Sequence, residues 1–193
     1  MLNPDHIREE FPIFHERKGL VFLDSASTTQ KPQCVIDSVS TFYSNYNANI
    51  HRALYEIGEK ATNEFESVRS KVKKFLNVPD SHEVIFTRSS TESINLVAYS
   101  WGISNLNRDN GVLVTEMEHH SNLVPWQMIS EKTSSSLKYI SLQKNGMLDL
   151  SSIEEDLNDK GILAIVHQSN VFGTINPIAK IVELAKSKGV LTL

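Results

Sequence analysis

Residues 161–193, GILAIVHQSNVFGTINPIAKIVELAKSKGVLTL, contain one complete unit of the pattern that decides the fold. Ile162 to Val166 is an unbroken apolar run of strand length, and it gives way at His167 to the polar segment Gln168-Ser169-Asn170. Asn176-Pro177 then opens a helix over Ile178–Lys188, which Gly189 closes, and Val190-Leu191-Thr192-Leu193 begins another strand. A strand that is apolar throughout is buried on both faces, and two such strands joined by a helix run parallel. The same unit recurs upstream. A strand at Glu83–Thr87 leads to a helix at Thr91–Trp101, and a strand at Val112–Thr115 leads through a loop to a helix at Leu123–Lys132. A strand at Leu137–Leu142 leads through a turn at Asn145-Gly146 to a short helix, Ser151–Asn158. The expected fold is α/β, a mostly parallel sheet flanked by helices on both faces.

The N-terminal third is more helical. Asn3-Pro4-Asp5 reads as an N-cap followed by proline in the first turn, with the helix ending near Pro12. Val21-Phe22-Leu23 reads as a short strand. Val35, Val39, Phe42 and Tyr46 keep a helical period, as do Ala61, Phe65, Val68, Val72 and Phe75. No repeat, low-complexity tract or Pro/Gly/Ser-rich linker interrupts the chain.

The 193 residues carry 19 Lys+Arg and 23 Asp+Glu, a formal charge of −4, with 40% hydrophobic and 22% charged residues. That is an ordinary globular composition, and a chain of this length buries roughly 70% of its unfolded surface. Net acidity with scattered Lys and Arg argues against nucleic acid as a partner. No apolar run approaches the ~20 residues of a membrane span, and the polar start MLNPDHIREE has no signal-peptide core, so a cytoplasmic protein is expected. A single cysteine, Cys34, excludes an internal disulfide; in a helix beside Val35 it reads as a small buried hydrophobe rather than a nucleophile.

In an open α/β sheet, chemistry belongs to the loops after the strands. Arg88-Ser89-Ser90-Thr91-Glu92-Ser93 runs directly into a helix. Its hydroxyls at a helix N-terminus suit a phosphate, while Ser89 and Glu92 at N-cap and N3 spacing also spell a capping box. Neither a Walker loop nor a dinucleotide fingerprint is present. Glu116-Met117-Glu118-His119-His120-Ser121-Asn122 follows the next strand. Adjacent side chains in an extended loop diverge, so no metal site is expected; a single imidazole serves as a flat stacking ring or a proton donor, and two solvated histidines would look the same. His167 to Thr174 reads as hydrogen-bonded turn chemistry or as ligand contacts. Asn45 to Arg52 pairs the imidazole of His51 with the guanidinium of Arg52, a combination suited to a carboxylate or phosphate and equally to a solvated interhelical loop.

Taken in order, FLDSASTTQKP, NANIHRALYEIGEKAT, FTRSSTESINLVAYSWG, TEMEHHSNLVPWQ and HQSNVFGTINPI resemble successive blocks of the class V aminotransferases. The match is to their Suf-type cysteine desulfurase/selenocysteine lyase branch, and it covers the N-terminal half of that family. The resemblance implies the large domain of a fold-type I pyridoxal-phosphate (PLP) transferase, truncated, with residues 1–19 as a helical segment packing on the small domain and 20–193 as a partial PLP-binding domain cut within a core strand. It implies that Ser90 and Thr91 bind the cofactor phosphate and that His119 stacks on the pyridine ring as a catalytic residue. Asn170 would contact the cofactor's phenolic oxygen and the substrate carboxylate, with Ala26, Ser27, His51 and Arg52 lining the substrate pocket. Ser89 and Ser93 depart from the family, standing where glycine is common.

The family's Schiff-base lysine, its attacking cysteine, the aspartate at the ring nitrogen and the carboxylate-gripping arginine all fall beyond the blocks matched here. By resemblance the function is removal of sulfur from L-cysteine, giving L-alanine and an enzyme persulfide for iron–sulfur cluster assembly. A homodimer and a sulfur-acceptor protein are the implied partners, and the 193-residue chain alone is expected to be inactive. Two alternatives stand beside this: a class V lyase or transaminase for selenocysteine or kynurenine, and a catalytically dead homologue acting as a binding or scaffold module.

Overall fold

A computed structural model of the chain describes residues 3–193, which fall into two compact units that divide between Ile85 and Phe86. The first unit is helical. α1 (Pro4–Glu9) starts as expected, with Asn3 as N-cap accepting the Asp5 N–H at 3.0 Å, and α2 (Pro12–Glu16) follows it. α3 (Gln33–Thr41) runs on into a π-helical turn, Phe42–Tyr46, and α4 spans Glu56–Phe75. Gly58 in α4 is buried, and a Cβ there would collide with the Ala53 side chain, so the close approach requires glycine. The π turn and α4 flank an apolar cavity of about 620 Å³ lined by Phe42, Tyr46, Ile50, Phe65 and Val68.

The second unit holds the sheet. α5 (Ser90–Val97) passes through a π turn (Ala98–Gly102) into α6 (Ile103–Asn105). Then come β1 (Gly111–Thr115), a 3₁₀ turn at His120–Asn122, α7 (Val124–Thr133), β2 (Leu137–Ile140), α8 (Ile153–Asp156), β3 (Lys160–Ala164), α9 (Ile178–Ser187) and β4 (Leu191–Thr192). The strand order is β2-β1-β3-β4, and every pairing is parallel. The α/β reading of the sequence is therefore correct.

Strand alternation sends side chains to two separate cores. Val112, Val114, Ile162 and Ala164 face Ala98, Leu106, Trp126 and Ile129. Leu113, Leu163 and Ile165 face Leu157, Ile181, Ala185 and Val190. β1 is buried along its whole length, which is why Gly111–Thr115 has no polar alternation in sequence.

Two expected strands do not form. Val21-Phe22-Leu23 and Glu83–Thr87 carry no regular structure, and among the described residues neither pairs with a strand. Leu23 is 90% exposed and Ile85 is 70% exposed. Apolar run length signals a strand, yet a strand is held by a neighbour's backbone and by a buried face, and these segments have neither.

Candidate functional site

Because all four strands are parallel, their carboxyl ends open on one edge of the sheet; the loops after β1 and β3 carry His119 and Asn170, while Ser90 and Thr91 begin α5, which no strand precedes among the described residues. The loop after β1 is tied to both neighbouring strands by its own carboxylates. Glu116 accepts the Leu142 N–H at 2.9 Å beyond β2, while its backbone N–H donates to Ile140 O at 3.0 Å. Glu118 works in the opposite direction. Its Oε1 accepts the Val166 N–H at 2.8 Å, just past the end of β3, and the Thr115 hydroxyl at 2.6 Å. Its Oε2 accepts Asn122 Nδ2 at 2.7 Å, and Asn122 Oδ1 accepts the buried Trp126 Nε1–H at 3.2 Å. On the far side of Val166, its carbonyl accepts Asn176 Nδ2 at 2.8 Å. Asn176 Oδ1 is buried without a hydrogen-bond partner among the described residues.

His119 sits at the N-cap of the 3₁₀ turn His120–Asn122 and is exposed. Its Nδ1 accepts the Ser121 N–H at 3.1 Å and lies 2.8 Å from Ser121 Oγ. An acceptor Nδ1 places the proton of a neutral imidazole on Nε2. The His119 and His120 ring centroids are 6.2 Å apart. The ring of His119 is thus held at its inner nitrogen and open on its outer one.

α5 packs against that 3₁₀ turn. Its N-terminus is capped by Ser89, whose Oγ accepts the Glu92 N–H at 3.2 Å, while the Glu92 carboxylate reaches back past the cap residue to accept the Arg88 N–H at 2.6 Å. Arg88 Nη2 also reaches Glu92 at 2.8 Å. That guanidinium, and then the backbone bond, hold the Glu92 carboxyl below its ordinary range, and the same bond raises Arg88. A helix leaves its first N–H groups without intrahelical acceptors. With Glu92 N–H taken by Ser89 Oγ, the N–H groups and hydroxyls of Ser90 and Thr91 stand at the positive end of the helix dipole. Cap and anion cradle therefore do not compete, since the cap uses Ser89 and the cradle would use the next two residues.

The loop after β3 contains a tight turn. Ser169, 3% exposed, accepts the N–H groups of Val171 and Phe172 on its Oγ at 3.3 and 3.1 Å, and Ser169 N–H donates to Thr174 O at 2.9 Å. The turn reading of this segment is correct, and Asn170 is exposed in that turn, next to the buried Ser169.

Ala26, Ser27, His51 and Arg52 lie in the first unit. Ala26 and Ser27 are in an exposed turn in which the Ser27 N–H donates to Asp24 O at 3.1 Å. His51 adopts a left-handed φ of 69°, a conformation that costs a non-glycine residue energy. Three α4 residues hold it there. Thr62 Oγ1 accepts its N–H at 3.0 Å, Glu66 Oε1 is 3.5 Å from Nε2, and the Phe65 ring meets the imidazole edge-on at 5.8 Å. Arg52 follows, with its N–H donating to Ile50 O at 3.0 Å.

The donor set of the second unit fits a phosphorylated aromatic ring carrying a polar substituent: hydroxyls and N–H groups for the phosphate, an imidazole face for the ring and an amide for the substituent. Glu118, Asn122 and Asn176 were not singled out by sequence reasoning. Their signals were the i, i+4 spacing of Glu118, Asn122 and Trp126, and a threonine ending an otherwise apolar strand.

The class-V aminotransferase family model matches residues 21–193. A probable cysteine desulfurase of Halalkalibacterium halodurans is 41% identical over 196 residues, covering 100% of this chain and 48% of that protein. One from Synechocystis sp. is 42% identical over 191 residues, covering 97% and 46%. The apo cysteine desulfurase of Thermococcus onnurineus NA1 superposes with a TM-score of 0.90 at 30% identity, over 100% of this chain and 47% of that one. The cysteine desulfurase CsdA of Escherichia coli gives 0.87 at 33% identity, over 100% and 48%. The chain spans about half the length of the curated relatives it matches. A parallel sheet with its polar loops at one edge, a family match over residues 21–193 and cysteine desulfurases among its relatives and structural neighbours agree: the chain belongs to the class-V aminotransferase family.

Proposed function

We propose that this chain is the N-terminal, cofactor-facing part of a pyridoxal-phosphate-dependent cysteine desulfurase. Such an enzyme takes L-cysteine to L-alanine and leaves the sulfur as a persulfide on an enzyme cysteine, to be passed to an acceptor protein for iron–sulfur cluster assembly. The observation that carries this reading is one pair of elements: α5, with a capped N-terminus and Ser90 and Thr91 in its first turn, packs on the 3₁₀ turn that His119 caps. When bound, the cofactor supplies an electron sink for cleavage of bonds at the substrate's α- and β-carbons.

The chain's own residues have distinct tasks in this reading. Ser90 and Thr91 bind the phosphate dianion through hydroxyl and backbone donors, assisted by the helix dipole. His119 offers its ring face to the pyridine, and its Nε2–H, opposite the nitrogen held by Ser121, is the proton it can move. Asn170 donates from the tip of the 169–174 turn to the phenolic oxygen or the substrate carboxylate. His51 and Arg52 present cationic or neutral donors to the substrate, with His51 aimed by its strained backbone. The lysine that holds the cofactor's aldehyde, the cysteine that attacks sulfur and the residues at the ring nitrogen belong, in this reading, to the half of the relatives' length that this chain does not span. The isolated chain then binds cofactor reversibly and produces no alanine. The intact enzyme acts in the cytoplasm as a homodimer.

Titration of the purified chain with pyridoxal 5′-phosphate tests this. Saturable binding, competed by inorganic phosphate and weakened about tenfold or more in the Ser90→Ala/Thr91→Val double variant, is expected, since hydrogen bonds to a charged group are worth about 1.5–3 kcal/mol each. Binding that the double variant leaves unchanged contradicts the phosphate assignment.

A further inference from the structure

The Val166 peptide is held on both sides by side chains from other segments. Its N–H donates to Glu118 Oε1 at 2.8 Å, and its carbonyl accepts Asn176 Nδ2 at 2.8 Å. β3's regular pairing with β1 ends at Ala164, so these contacts extend the sheet's hydrogen bonding past its last strand residues. Glu118 also closes the β1 loop on itself. Thr115, at the strand's end, and Asn122, at the end of the 3₁₀ turn, donate to its two oxygens at 2.6 and 2.7 Å. His119 is the next residue in the chain and lies inside the loop so closed. Three donors thus converge on one carboxylate, from β1, from the turn that follows His119 and from the path toward Asn170.

We propose that Glu118 is a positioning residue of this site: it fixes His119 and the exit of β3 relative to one another, so that ring and amide stand ready for the same ligand. The proposal rests on the cofactor reading for the identity of that ligand, but not for the positioning itself. Thr115 is fully buried, and Asn122 bonds the buried Trp126, so Glu118 is anchored to the core rather than to mobile surface. A carboxylate offers only acceptors, as all three partners require. Glutamine retains acceptance from Thr115 and Val166 but meets the Asn122 NH₂ with its own NH₂. Asn122 cannot turn its amide over without losing the Trp126 bond.

The test uses the 193-residue chain labelled with ¹⁵N in histidine, as wild type, Glu118→Gln and Thr115→Val. Ring nitrogen shifts report the His119 tautomer, and circular dichroism reports the fold. Binding of pyridoxamine 5′-phosphate and of inorganic phosphate is measured in parallel. The proposal expects folded variants in which the single Nε2–H tautomer of His119 gives way to a mixture. It also expects pyridoxamine 5′-phosphate affinity to fall about tenfold, the scale on which lost outer-shell contacts act at ligand sites, while affinity for inorganic phosphate is unchanged. If His119 signals in Glu118→Gln match the wild type, whatever the melting temperature does, Glu118 is only a structural clamp and the proposal is overturned. If His119 signals change but the wild type binds no pyridoxamine 5′-phosphate, the positioning stands and the cofactor reading fails.

Discussion

Ser89 and Glu92 are tied at the start of one helix: the Ser89 hydroxyl caps α5 by accepting the Glu92 N–H at 3.2 Å, and the Glu92 carboxylate folds back to the Arg88 N–H, one residue before the cap, at 2.6 Å. The pair orders the first turn of α5 before any ligand arrives, so the donors of Ser90 and Thr91 are fixed in direction. Replacing Ser89 with alanine removes one acceptor at the N-cap and is expected to lower unfolding free energy by about 1 kcal/mol. Urea denaturation of the two proteins measures it. Ser89→Gly, which keeps the cap backbone accessible, should lose only a few tenths of that energy unit.

The Glu92 carboxyl is held below its ordinary range, chiefly by the Arg88 guanidinium and then by the Arg88 N–H. A group whose folded value is depressed contributes stability that is fully present above its unfolded value and is lost as pH falls through the folded value. The capping contribution should therefore fade in the acid range, below the ordinary titration of a glutamate. Comparing wild type with Glu92→Gln as a function of pH isolates it: the stability difference should be constant near neutrality and shrink toward strong acid. Arg88 is largely exposed, so added salt should reduce the part that comes from the ion pair.

Trp126 is fully buried between α7 and the sheet, and its indole N–H reaches the Asn122 amide that Glu118 also holds. Trp126→Ala should cost about 3–5 kcal/mol, the range for emptying a large aromatic site. Trp126→Phe fills most of the volume but leaves Asn122 Oδ1 without its donor. It is expected to cost less in thermal stability than alanine while still shifting the His119 ring signals, because Asn122 ends the turn that His119 begins. Differential scanning calorimetry with histidine-labelled NMR separates the two effects.

The sheet was legible in the sequence because β1 and β3 are buried on both faces, and Gly111–Thr115 and Ile162–Ala164 therefore read as plain apolar runs. The same signal failed at Val21–Leu23 and Glu83–Thr87, where apolar residues stay exposed: run length reports burial only when something covers the run. At the site, Ser89 with Glu92 was readable because an N-cap is local, its serine only three positions from the N–H it accepts. Glu118 with Val166 was not, since the two are 48 positions apart and the acceptor bonds a backbone N–H that carries no side-chain signature. Asn176 with Val166, 10 positions apart, was hidden because its partner is a backbone carbonyl.

In the proposed reading the chain holds the phosphate and ring contacts of a pyridoxal-phosphate site, and the lysine that takes the aldehyde is not among its residues. Pyridoxal 5′-phosphate added to the purified chain, reduced with borohydride and followed by peptide mass spectrometry, tests it most directly. The expected result is reversible, saturable binding before reduction and only scattered, substoichiometric lysine labelling after it. One lysine labelled stoichiometrically, and protected from labelling in the Ser90→Ala/Thr91→Val variant, would contradict the claim and place the complete cofactor site within these 193 residues.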